Sequence, residues 1–158
     1  MPAPNTTEIA ARSRAIANAH AHREGPLLPI LHEVQASFGH VPQEALPEIA
    51  DVLNLSRAEV YGVMSFYHDF RDAPAGRHVV KICRAEACQA KGGDALSERA
   101  RAALGLDWGE TSTDGAVTLE PVYCLGLCSC APAAMVDGQL RARLDEQAMD
   151  DLIAEVRP

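Results

Sequence analysis

The sequence predicts an α+β chain in two parts, a small helical bundle over residues 1–71 followed by a small α/β domain over residues 76–158. Three observations predict this. Apolar residues recur at helical spacing in the first half and in short strand-like runs in the second. Asp72-Ala73-Pro74-Ala75-Gly76, rich in turn formers, separates the two patterns. All five cysteines lie beyond that break.

The first half reads as four short helices joined by short loops. A cap at Thr6 or Thr7 would open the first, which runs to about His20 and has a weak apolar face. Gly25-Pro26 breaks the chain. Leu27, Ile30, Leu31, Val34 and Phe38 then share one helical face, and Gly39 is placed to end it. Val41-Pro42 leads to a third helix with Leu46, Ile49, Ala50 and Leu53 on one side. Its Pro47 falls in the first turn, where a missing N–H costs little. Ser56-Arg57-Ala58-Glu59 has the form of a capping box for a fourth helix carrying Val60, Val63, Met64 and Tyr67.

In the second half, His78 to Ile82 reads as a strand running into Cys83. A helix from about Asp94 to Leu104 follows, capped by Gly105. Val117 to Tyr123 reads as a second strand ending at Cys124. Pro121 would remove a ladder donor, which places this strand at an edge or at a bend. Asp137-Gly138 between Ala133–Val136 and Gln139–Arg143 signals a hairpin. Asp145 caps a last helix with Met149, Leu152, Ile153 and Val156 inward.

Charge and hydropathy exclude several function classes. The formal net charge is −8, and residues 1–75 carry five basic and nine acidic side chains against nine and thirteen in residues 76–158. No basic stripe is available to neutralise phosphates, so nucleic-acid binding is not expected. No apolar run approaches the ~20 residues of a membrane span. Met1 to Glu8 is polar and lacks a signal-peptide core, so a cytoplasmic location is expected. In that reducing compartment clustered cysteines favour metal over disulfides, and an odd count points the same way.

The cysteines carry the chemistry. Cys83 and Cys88 have four residues between them, Cys124 and Cys128 have three, and Cys130 follows closely. A two-iron iron–sulfur cluster takes four thiolates, two on each iron, and two separated pairs can supply them. Structural zinc also accepts pairs at such spacings, and buried structural cysteines are a third reading. Gly126, inside the second pair, would let backbone come close to a bridging sulfide and donate N–H groups to sulfur. Gly92-Gly93 would give similar freedom or simply start a helix. Cys130 reads as a bystander thiol. The six histidines are scattered and read as solvated or internally bonded. Tyr61, Phe66, Tyr67 and Phe70 read as core packing, with some free to face a partner subunit. No phosphate-cradling glycine fingerprint and no nucleophile–base arrangement is visible, so no catalytic residue is assigned.

Cys83-x4-Cys88, then Cys124-Leu125-Gly126-Leu127-Cys128 with Ala131-Pro132 behind it, resembles the thioredoxin-like [2Fe–2S] ferredoxin family. Val60-Tyr61-Gly62-Val63-Met64-Ser65-Phe66-Tyr67 looks like that family's second signature, on the last helix of its N-terminal bundle. The resemblance runs from about residue 8 to 156. It includes the small subunit beside the flavin subunit of respiratory complex I and the matching subunits of NAD-linked hydrogenases and soluble molybdenum formate dehydrogenases. It implies a thioredoxin-like fold for the second domain, docking by residues 1–71, and one [2Fe–2S] cluster on Cys83, Cys88, Cys124 and Cys128.

The first loop, Cys83-Arg84-Ala85-Glu86-Ala87-Cys88-Gln89-Ala90, looks most like the gamma subunit of NAD-dependent molybdenum formate dehydrogenase. That resemblance implies an electron-transfer subunit without activity alone. Its direct partner would be a flavin subunit with FMN, NAD and iron–sulfur centres. A molybdenum-cofactor subunit oxidising formate would belong to the same complex. The equivalent subunit of complex I or of an NAD-linked hydrogenase is the alternative, and a zinc-stabilised interaction module without redox function is the second.

Overall fold

Helix caps define the first unit. The computed structural model describes residues 5–157, so residues 1–4 of the polar N-terminal stretch lie outside it, as does residue 158. Helix α1 spans Thr6–His20, and its cap is Asn5 rather than Thr6 or Thr7. The Asn5 side chain accepts from the Glu8 N–H at 2.9 Å while Glu8 accepts from the Asn5 N–H at 3.0 Å, so both threonines are already helical. Helix α2, Leu27–Phe38, ends at Gly39 with φ 79°, a left-handed cap that glycine adopts without strain. Helix α3 is Ala45–Leu53 and carries Pro47 in its first turn. Helix α4 is Arg57–Phe66, opened by the Ser56/Glu59 capping box.

The four helices bury one core that includes Ile30, Leu31, Val34, Leu46, Ile49, Val60 and Met64. Phe70 joins it, with its ring 4.9 Å from that of His32. Tyr61, Phe66 and Tyr67 do not: they are 50%, 73% and 43% exposed. The reason for Tyr67 is local. Helix α4 stops at Phe66, and Tyr67 turns into extended backbone at φ −90°, ψ 110°, off the apolar face its spacing predicts. Three exposed aromatics close together in sequence correct the core-packing expectation for these residues.

The chain divides into two compact units after Pro74. In the second, β1 (His78–Cys83), α5 (Glu86–Ala90), α6 (Gly93–Leu104), β2 (Val117–Val122), β3 (Ala133–Val136), β4 (Gln139–Ala142) and α7 (Glu146–Val156) follow in order. The sheet order is β2-β1-β3-β4. β1 and β2 are parallel, and β3 runs antiparallel to β1 and to β4. β2 lies at the edge, which is where Pro121 is tolerated. Leu96, Ala100 and Leu104 of α6 and Met149, Leu152, Ile153 and Val156 of α7 share a core with Val80, Ile82, Val117 and Leu119 of the sheet.

Gly76, where the boundary stretch ends and the second domain is expected to begin, is packed. A Cβ there would lie 2.9 Å from the Val117 backbone, and its N–H donates to Thr118 Oγ1 at 2.7 Å. Among the described residues no helix is long and apolar enough to cross a membrane.

Candidate metal centre

Parallel pairing of β1 and β2 places the two cysteine loops together. Cys83, the last residue of β1, is in register with Val122, the last of β2. Both strands therefore release their loops at the same sheet end, and Cys124 lies two residues beyond β2. Carboxyl ends of parallel strands are the usual place for ligands in α/β folds. The Arg84 N–H donates to Val122 O at 2.8 Å, tying the start of the first loop to the entry of the second.

The first loop contains a helix that periodicity does not reveal. Helix α5 has five residues, too short for a repeat to show, and carries Cys88. Its Glu-Ala-Cys-Gln-Ala composition, rich in good helix formers, is the one signal available. The helix packs against the 3-10 turn Cys128–Cys130, which brings Cys88 to the second loop.

The second loop is shaped by backbone. Cys124 has φ 128°, a conformation rare outside glycine, and Gly126 has φ 75°. The Gly126 N–H donates to Cys124 Sγ at 3.3 Å. A Cβ on Gly126 would meet nothing within 4 Å, so the glycine serves its positive φ and the direction of its N–H rather than close packing. Gly93 is the converse. A Cβ there would lie 2.6 Å from the Cys88 carbonyl oxygen and 2.9 Å from its carbon, contacts that no rotamer relieves. Gly92, at φ 86°, caps the start of α6, and Gly93 lets the helix abut the backbone of Cys88.

Cys124 Sγ and Cys128 Sγ are 3.7 Å apart. Two thiolates on one tetrahedral metal, at ~2.3 Å each, sit about 3.75 Å apart, whereas a disulfide needs about 2.05 Å. Cys83 and Cys88 are buried with Ala133 in one apolar cluster that Leu125 and Leu127 complete. Cys124 and Cys128 are exposed. Burial, then the neighbouring Cys83 thiol, pushes the Cys88 thiol above its ordinary range, and the contact with Cys124 raises Cys128. Such thiols hold their protons at neutral pH, so a metal entering here displaces them. The Cys130 thiol lies 3.8 Å from its neighbour Ser129 Oγ, and the Cys130 carbonyl accepts from the Arg143 N–H at 2.7 Å.

Among the described residues no three His, Cys, Asp or Glu side chains form a group able to hold one metal ion. The thiols occur instead as two close pairs at one sheet end, a donor set that fits two irons with two thiolates each.

A family model described as thioredoxin-like [2Fe–2S] ferredoxin matches residues 13–157. The chain belongs to this family. Its members are named for the [2Fe–2S] cluster, and the donor set described above suits that cofactor.

Relatives include the E 2 subunit of NADH-quinone oxidoreductase from Rhizobium meliloti (strain 1021), 35% identical over 90% of this chain and 85% of that protein. The HndA subunit of the NADP-reducing hydrogenase from Solidesulfovibrio fructosivorans is 32% identical over 84% of this chain and 78% of its own. The E-type subunit of NADH-quinone oxidoreductase from Escherichia coli (strain K12) is 34% identical over 96% and 94%. In the crystal structure of an NAD+-reducing [NiFe]-hydrogenase in the H2-reduced state, one chain superposes with a TM-score of 0.72 at 28% identity. The match covers 83% of this chain and 22% of that one, so the shared fold makes up about a fifth of the hydrogenase chain.

Proposed function

We propose that this chain is the electron-transfer subunit beside the flavin subunit of an NADH-quinone oxidoreductase or NAD-linked hydrogenase complex, with one [2Fe–2S] cluster held by Cys83, Cys88, Cys124 and Cys128. The observation that carries the ligand assignment is the pairing of these four thiols at the shared end of β1 and β2. The cluster supplies storage for a single electron. Cys83 and Cys88 hold its inner side away from water, Cys124 and Cys128 hold its outer side, and the Gly126 N–H answers charge on sulfur. Cys130 is outside the ligand set.

The partner in this reading carries FMN and binds NAD, and the helical unit docks on it through the exposed aromatics of α4. Cytoplasmic residence belongs to the same reading, since free thiol ligands need a reducing compartment. The three relatives named above, from oxidoreductase and hydrogenase complexes, favour this assignment over formate dehydrogenase. The loop Arg84-Ala85-Glu86-Ala87 favours the second reading, a molybdenum formate dehydrogenase with a formate-oxidising subunit.

Anaerobic addition of NADH, hydrogen or formate to the complex purified with this chain separates the two. Bleaching of the cluster by NADH, without formate activity or molybdenum, is expected. Bleaching by formate in a molybdenum-containing complex would move the assignment to the second reading.

Gly93 offers a test of the site itself. Gly93→Ala forces the Cys88 backbone away from α6, and iron content after purification is expected to fall severalfold. Gly62→Ala, at a helical position where an added Cβ meets nothing within 4 Å, is the control and should leave iron content unchanged.

A further inference from the structure

Arg84 follows Cys83 directly and is fixed by both its backbone and its side chain. Its N–H binds Val122 O at 2.8 Å, and its carbonyl accepts from Gln89 Nε2 at 2.9 Å. The guanidinium carbon sits 5.2 Å above the centroid of the Trp108 ring, and Nη2 is 3.8 Å from Asp94 Oδ1. Its Nε is buried and has no hydrogen-bond partner among the described residues.

The contrast with Arg101, on the same ring at 5.8 Å, is informative. Arg101 is neutralised by Glu98 and Asp107, each at 2.7 Å. Among the described residues Arg84 has one ion pair, a long one, and its partner Asp94 stands in the first turn of α6, where the positive end of the helix already answers part of that carboxylate's charge. Arg84 is therefore a rigid, under-neutralised cation next to a proposed ligand, in a chain of net charge −8.

We propose that Arg84 is an electrostatic residue of the redox centre, raising the cluster's reduction potential while touching none of its atoms, with Trp108 and Asp94 setting where its charge sits. The inference rests on the ligand assignment above. With two ferric irons, two sulfides and four thiolates, the oxidised centre carries a charge of about −2, and one electron takes it to about −3. A fixed cation favours the more negative state. Because the guanidinium is partly shielded from solvent, its effect is screened less by salt than that of an exposed cation.

The test is a redox titration of the cluster-loaded full chain followed by its paramagnetic signal, with iron and sulfide counted in each variant. Arg84→Gln should lower the potential, shifting the reduced-to-oxidised ratio at a fixed solution potential by roughly threefold to tenfold. Arg84→Lys, which keeps the charge, should recover most of the shift. Asp94→Asn removes the counter-charge and should move the potential the opposite way. Loaded Arg84→Gln and Asp94→Asn with unchanged potentials, or with shifts of the same sign, overturn the inference. If Arg84→Gln fails to load, the Asp94→Asn result decides alone. A parent chain that holds no iron and sulfide overturns the ligand reading instead.

Discussion

Serine at Cys83, Cys88, Cys124 or Cys128 is expected to remove most of the cluster, with at least a tenfold drop in bound iron for the two buried positions. The alkoxide of serine is a harder and more basic ligand than thiolate, and at Cys83 and Cys88 it would stand in an apolar cluster with Ala133, Leu125 and Leu127. A buried hydroxyl without a partner costs about 1–3 kcal/mol even before the metal bond is lost. Cys124→Ser and Cys128→Ser are exposed, and water can support a strained substitute there. A weaker, spectroscopically altered cluster is expected for that pair. Cys130→Ser should keep full iron, because its carbonyl contact to Arg143 does not involve the thiol. Iron and sulfide analysis of the five variants checks this. Loss of iron in Cys130→Ser with retention in Cys128→Ser would reverse the assignment.

The second large effect concerns association. Phe66→Glu combined with Tyr61→Glu is expected to weaken binding to the flavin subunit by tenfold to a hundredfold while leaving cluster content intact. Phe66 and Tyr61 are among the large apolar side chains that α4 leaves to solvent, so charging them costs the unit's own core little. An interface aromatic of the hot-spot kind contributes about 2 kcal/mol on truncation, so one such contact from the pair accounts for the expected loss. A pull-down or titration against the flavin subunit reads the effect. Unchanged affinity would remove α4 from the docking face.

Much of this architecture is legible in the residues. Gly39, the Ser56/Glu59 box, Asp137-Gly138 and Asp145 each solve one local backbone problem, and each is found doing so. Pro121 marks an edge strand because a missing N–H cannot serve a central ladder. The cap of α1 falls one or two residues before the expected threonines because asparagine and threonine compete for that role, and only Asn5 has Glu8 three residues on.

What stays hidden has physical causes. Helix α5 is held by tertiary contacts over a length at which periodicity carries no information. The exposure of Tyr61, Phe66 and Tyr67 depends on where α4 ends and which face the bundle covers. Gly93 reads in the sequence as a helix start. Its approach to the Cys88 carbonyl depends on how α5 and α6 meet, which spacing does not encode. The site itself is visible as two cysteine pairs, and the register of Cys83 with Val122 explains why they converge.

In the proposed reading, four thiols at one sheet end hold a two-iron cluster. Anaerobic purification of the full chain, followed by iron, acid-labile sulfide and zinc analysis and by a paramagnetic spectrum after dithionite reduction, tests it most directly. About two irons and two sulfides per chain, a brown protein, and a one-electron signal that appears on reduction are expected. One zinc per chain in a colourless protein, with no signal after reduction, would contradict it.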